Sequence, residues 1–136
     1  MALDITITKG DAGTYRVKLS GMLDTHTSPQ LDRRMEEIWG DDKARAIRLE
    51  LHDLTYISSI GLGSLAKMKK GIAKKGGVIV TVGTQPQIAR VFEIVKMLPK
   101  ETVFVTHEEA DEYLAAIQNN VIEENRQAHP GGGNVP

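Results

Sequence analysis

The chain has 136 residues, no cysteine, and 17 basic against 18 acidic side chains. Its length suits one domain around one core, and the missing thiol excludes disulfide frameworks, Cys-ligated zinc and cysteine nucleophiles. A net charge of −1 gives no global attraction to nucleic acid or to an acidic membrane surface.

The longest apolar runs fall well short of the ~20 residues that a membrane span needs. Met1-Ala2-Leu3-Asp4 has no basic segment leading into an apolar one, so it does not read as a signal peptide. A soluble cytoplasmic protein is the expectation.

Leu3, Ile5 and Ile7 alternate with Asp4, Thr6 and Thr8, which predicts a half-buried strand. Lys9-Gly10-Asp11-Ala12-Gly13 is turn chemistry. Tyr15, Val17 and Leu19 alternate with Arg16, Lys18 and Ser20, giving a second strand and a hairpin. After Gly21-Met22-Leu23-Asp24, Thr27 or Ser28 can cap a helix with Pro29 at its first position. Leu31, Met35 and Ile38 form its apolar stripe, and Gly40 ends it.

Arg45 to Leu51, with Leu54 beyond, predicts a third strand. A second helix starts near Ser59, carries Leu62, Leu65, Met68 and Ile72 inward, and closes at Gly76-Gly77. Val78 to Val82 is a continuous β-branched run, as in a strand covered on both faces or placed centrally. Pro86 opens a helix bearing Ile88, Val91, Phe92 and Val95. Val103-Phe104-Val105 predicts a short last strand, and His107 begins a helix through Ile117. From Glu123 the periodicity is lost and the Pro-Gly-Gly-Gly ending predicts a disordered tail. The expected fold is α/β: a mixed, mostly parallel sheet of about five strands with about four helices. The domain would span residues 1–122 and the tail 123–136.

The most informative stretch is Tyr56-Ile57-Ser58-Ser59-Ile60-Gly61-Leu62-Gly63. It puts two hydroxyls at a strand-to-helix turn. Serine there is a good N-cap, and the glycines let the chain turn close to the sheet. The same place suits a phosphate, because a helix start offers N–H groups and the positive end of the dipole. A partner over that turn would meet up to two new negative charges. Both readings stand on the residues alone.

Other chemistry finds little support. Asp24 and Asp53 could neighbour Ser59, but His52 lies on the strand side and no G-x-S-x-G elbow is present. His26, His52, His107 and His129 lack ligand spacing, so no metal is expected. Gly61-Leu62-Gly63-Ser64 lacks the third glycine of a dinucleotide loop and the Gly-Lys-Ser/Thr of a phosphate loop. No cofactor and no catalytic residue are expected. Lys67, Lys69, Lys70, Lys74 and Lys75 crowd the second helix, either as a solvated face or as a basic docking edge.

With these residues in hand, the chain from Leu3 to Ile117 resembles a STAS domain of the anti-sigma factor antagonist type. Gly21-Met22-Leu23-Asp24 is similar to the family's Gly-x-Leu-Asp. Leu54 to Gly63 is similar to the segment around its regulatory serine, commonly Asp-Ser-Ser-Gly-Leu-Gly. Ser58 stands at the usual acidic neighbour, and Ile60 at a position usually small. Gly76-Gly77 with the following strand and Pro86 to Val95 matches the downstream part.

The resemblance implies that Ser59 is the phosphorylated serine and that Asp24 is the aspartate beside it. Ser58, Ile60, Gly61, Leu62 and Gly63 would then complete the partner-binding turn. It implies a non-catalytic regulator. An anti-sigma factor that is also a serine kinase would bind the unphosphorylated form and phosphorylate Ser59 from ATP, and a serine phosphatase would reverse this. A constitutive STAS adaptor in a signalling or lipid-transport assembly, and a small-ligand or nucleotide sensor, are the alternative expectations.

Overall fold

The computed structural model describes residues 2–97 and 106–128. It divides into two compact units, one reaching to Gln85 and one beginning at Pro86.

The first unit holds the sheet. Strands β1 (Leu3–Lys9), β2 (Thr14–Leu23), β3 (Ala46–Ile57) and β4 (Val78–Thr84) lie in the order β1-β2-β3-β4. β1 and β2 form the expected antiparallel hairpin, while β2–β3 and β3–β4 are parallel. The period-2 pattern is realised: Tyr15, Val17 and Leu19 are buried, Arg16 and Lys18 exposed. Gly21 has φ +108, and a Cβ there would strike the Ala2 carbonyl, so the hairpin's open end needs glycine.

β3 is longer than the sequence suggests. Its register against β2 slips between Lys18 and Ser20 and again between Gly21 and Met22. Each slip adds a residue to β3, rephasing the strand so that Ile47, Leu49, Leu51, Leu54 and Ile57 are all buried. The added length brings Ile57 level with Leu23 at the strands' carboxyl ends.

Helices α1 (Ser28–Arg34) and α2 (Glu36–Trp39) replace the single expected helix. They join through Met35, whose backbone remains helical at φ −66 and ψ −17. Helix α3 (Ser59–Lys74) buries Gly61, Ser64, Met68 and Ile72. It ends as expected, with the amides of Gly76 and Gly77 donating to Ala73 and Ile72 at 2.9 Å each.

The apolar run in β4 predicts a strand covered on both faces or central. The structure instead puts β4 last among the described strands, with Val78 64% and Val80 56% exposed. β-branched residues favour any pleated strand, so the run marks strand type.

The second unit packs helices α4 (Pro86–Met97) and α5 (His107–Ala128) on each other. Ile88, Val91 and Leu114 are buried. The predicted strand Val103–Val105 lies outside the described residues, so the described sheet has four strands. The tail boundary at Glu123 is overtaken by α5, which runs to Ala128 with Arg126 paired to Glu123 at 3.4 Å. Residues 129–136 lie outside the described part.

Candidate functional site

The site is the turn from β3 into α3, seated against the end of β2. Ile57 and Leu23 are register partners. The Ser58 amide donates to the Leu23 carbonyl at 2.9 Å, which ties the turn to the neighbouring strand. Ser58 is extended, at φ −96 and ψ 176, and its Oγ accepts from the Gly61 amide at 3.1 Å. Ser58 is therefore the N-cap, and it is 3% exposed. Ser59 is the first residue of α3 and half-exposed. The two adjacent serines thus hold different posts.

Gly61 is buried beneath the turn. A Cβ on it would lie 2.5 Å from the Leu23 carbonyl oxygen and 2.9 Å from Leu23 Cγ. Gly63 is the opposite case: it is exposed and has nothing within 4 Å of a would-be Cβ. Ile60 and Leu62 are half-buried on either side.

Asp24 follows directly on β2, one position past the Leu23–Ile57 pair, so its loop adjoins the serine turn. Its Oδ1 accepts from the amides of His26 at 2.9 Å and Thr27 at 3.1 Å. The Thr27 hydroxyl accepts from the Asp24 amide at 2.9 Å and lies 2.8 Å from the Met22 carbonyl, to which it can donate. Thr27 occupies the N-cap position of α1, yet its hydroxyl is turned back to the Asp24 loop and does not cap the helix. Pro29 follows as the second residue of α1. Thr27 and Leu23 are the residues whose part the sequence reading missed. The Asp-x-x-Thr spacing was the available signal for the first. Nothing local announced the second, because its contacts are with a strand end more than thirty residues away.

The groups weighed for hydrolytic chemistry are engaged elsewhere. Asp53 pairs with Lys18 at 3.5 Å. Asp24 closes its own loop. His52 is exposed on β3, beside Gly83, with its carbonyl accepting from Gln85 at 3.1 Å. Among the described residues no group of three or more His, Asp or Glu side chains could hold a metal ion. No described helix is long and apolar enough to cross a membrane.

A mixed sheet with parallel strands β2 and β3 ending at a capped serine turn is the frame of a small α/β domain. The profile of the STAS domain matches residues 5–110. The anti-sigma-B factor antagonist of Staphylococcus aureus is 32% identical over 94 residues, covering 69% of this chain and 85% of its own. The anti-sigma F factor antagonist of Paenibacillus polymyxa is 33% identical over 82 residues, covering 60% and 70%. Among solved structures, the anti-sigma factor antagonist SpoIIAA in its unphosphorylated form superposes with a TM-score of 0.58 at 18% identity, covering 82% of this chain and 98% of its own. The phosphorylated form of the Bacillus cell-fate determinant SpoIIAA gives 0.59 at 19%, covering 82% and 99%. An anti-sigma factor antagonist from Mycobacterium paratuberculosis gives 0.56 at 23%, covering 86% and 95%. At these identities the structural likeness is one of fold.

The chain belongs to the STAS-domain family, among the anti-sigma factor antagonists, which are non-enzymatic regulators.

Proposed function

We propose that this chain is a cytoplasmic partner-switching regulator whose state is set by a phosphate on Ser59. Its relatives are named as antagonists of anti-sigma factors, and in this reading its unphosphorylated form binds an anti-sigma factor that is also a serine kinase. The kinase transfers the γ-phosphoryl of ATP to Ser59 Oγ, releasing ADP and the hydroxyl proton. A serine phosphatase hydrolyses the ester and restores the binding form.

The observation that carries this reading is the division of labour between the two serines. Ser58 is buried and its hydroxyl is committed to the cap, so its modification would dismantle the start of α3. Ser59 is half-exposed one residue on, where the helix dipole favours an anion. Gly63, one turn along α3, leaves open space above the helix for a partner's backbone. Asp24, Ile60 and Leu62 border the same turn. Ser58 and Gly61 support it from beneath.

Incubating the protein with the anti-sigma serine kinase of its source organism and ATP, then mapping the phosphate by mass spectrometry, tests the assignment. Phosphate on Ser59 is expected, and Ser59→Ala should abolish it. Phosphate on Ser58 alone, or no uptake at all, would overturn the reading.

A further inference from the structure

Residues 59–77 hold five lysines and no acidic residue. Since the whole chain is −1, the remainder carries a net −6. The positive charge is thus gathered on one helix of an otherwise acidic protein. The other described helices handle charge differently: Arg34 at the end of α1 pairs with Glu37 on α2, and Arg90 with Glu93 and Arg126 with Glu123 within α4 and α5. Among the described residues, the one α3 lysine that finds a carboxylate is Lys67, with Asp32 at 3.2 Å, while Lys75, just past the helix end, donates to the Asp41 carbonyl at 3.1 Å. Lys69, Lys70 and Lys74 are exposed and form no ion pair among the described residues. The helix dipole accounts for Lys74, in the last turn, but not for Lys69 and Lys70 in the body of the helix.

The positions matter as much as the count. Ser59, Gly63, Lys67, Lys70 and Lys74 are spaced by four, four, three and four residues, which sets them along one side of α3. With Ala66 beside them, the first two turns of that side are small and the rest cationic. At about 1.5 Å per residue, Lys70 and Lys74 lie roughly 16–22 Å along the helix from Ser59.

We propose that this outer side of α3 docks an acidic segment of the same protein partner that reads Ser59, with Lys70 and Lys74 on it and Lys69 at its flank supplying the electrostatic attraction. This rests on the partner-switching reading. An acidic protein segment complements the charge of this helix, whereas a net charge of −1 gives the chain no general attraction to an extended polyanion or an anionic bilayer. The stripe carries no large apolar or aromatic side chain to enter lipid or stack on bases.

Separation decides how the two devices combine. The distance from Ser59 exceeds the Debye length of ~8 Å at physiological salt, so a charge at Ser59 and the lysines act nearly independently. The lysines accelerate encounter and the serine sets whether the docked state persists.

The test measures association of the full chain with the anti-sigma serine kinase of its source organism by stopped flow at 50 and 200 mM salt. Lys69→Gln/Lys70→Gln/Lys74→Gln should bind at least tenfold more weakly at 50 mM. Most of the loss should lie in the association rate, with a shallower salt dependence. The triple Lys→Arg variant should bind like the parent, and Ser59→Asp should multiply with the Gln set to within about twofold.

Equal binding by the parent and the Gln variant would overturn this inference while leaving the partner reading intact. If the kinase does not bind the parent at all, the partner reading fails. A 20-residue helical peptide of alanine and glutamate then decides this inference alone. Amide shifts confined to α3 and lost in the Gln variant support the docking side. Absent shifts, or tighter binding to phosphatidylserine vesicles or to RNA, overturn it.

Discussion

At the scale of single residues, the serine turn makes predictions that separate neighbours. Ser58→Ala removes the acceptor for the Gly61 amide inside a buried cap. Urea unfolding should show a loss of ~1 kcal/mol, while Ser59→Ala stays within about 0.5 kcal/mol of the parent, the usual range for a surface substitution. A reversed order would exchange the roles assigned to the two hydroxyls. The glycines divide in the same way. Gly61→Ala forces a Cβ against the Leu23 carbonyl and should cost on the order of 1–3 kcal/mol as an overpacking change. Gly63→Ala meets open space in an exposed helix and should raise stability by about 0.5–1 kcal/mol. If it also weakens the kinase, the glycine is there for the partner. A destabilised Gly63→Ala would show instead that the fold requires it. The sequence announced the motif but could not sort these residues, because Ser58 and Gly61 are fixed by Leu23, and that contact exists only once β2 and β3 lie side by side.

At the scale of elements, β2 and β3 are joined by side chains as well as by their ladder. Glu50 on β3, 5% exposed, receives a two-pronged bond from Arg16 on β2 at 2.9 and 3.0 Å, and Arg48 approaches at 3.1 Å. Arg16, chiefly through that hydrogen bond, holds the Glu50 carboxyl below its ordinary 4.5, against the opposing effect of burial. Asp41 after α2 is held far below its ordinary 3.8, first by the Tyr15 hydroxyl on β2 at 2.5 Å, then by the Lys43 amide and by Lys9 at 3.1 Å. Both folded-state values are depressed. Their stabilisation is therefore complete above the unfolded values and is lost as pH falls through the folded ones. Glu50→Gln and Asp41→Asn should each lower the denaturation midpoint at pH 6–7, and the difference from the parent should shrink steadily below about pH 4.5 for Glu50→Gln and below about 3.8 for Asp41→Asn. A difference that does not change between pH 7 and 2 would contradict the charge-based account.

The element scale also shows where pattern reading stops. The hairpin, the starts of α3 and α4, and the glycine close of α3 follow from period, caps and breakers. The two slips in β3 are not legible, since an added residue disguises the period of two that would reveal it. The place of β4 at the end of the described strand order depends on distant pairings, which no local pattern carries. The end of α5 was missed for another reason: Glu123 to Ala128 lacks an apolar stripe but is built of ordinary helix formers with no glycine or proline, so propensity extends what burial does not.

At the scale of the whole molecule, that helix end leads to a modest expectation for truncation. Residues 123–127 are exposed, so the described end of α5 contributes little buried surface for removal of Glu123 to Pro136 to expose. The melting temperature should move by no more than a few degrees; a larger drop would show that this segment stabilises the rest. Phosphorylation should be equally gentle on the fold. The core of the first unit is built from residues such as Leu19, Leu31, Ile47 and Leu54, and Ser59 is not among its buried members. An anion at the first residue of α3 gains roughly 0.3–1 kcal/mol from the dipole, and Lys70 and Lys74 lie too far along the helix to add much. At an interface the same anion must be desolvated. That cost can reach several kcal/mol, so the intermolecular effect should dominate. Ser59→Asp should weaken kinase binding at least tenfold, or ~1.4 kcal/mol, with its melting curve unchanged within a few degrees, while Ser59→Ala binds like the parent. Titration calorimetry beside thermal melts separates the cases. Equal affinities for both variants would remove Ser59 from the interface, and a collapsed melting curve for Ser59→Asp would move the switch from the interface into the fold.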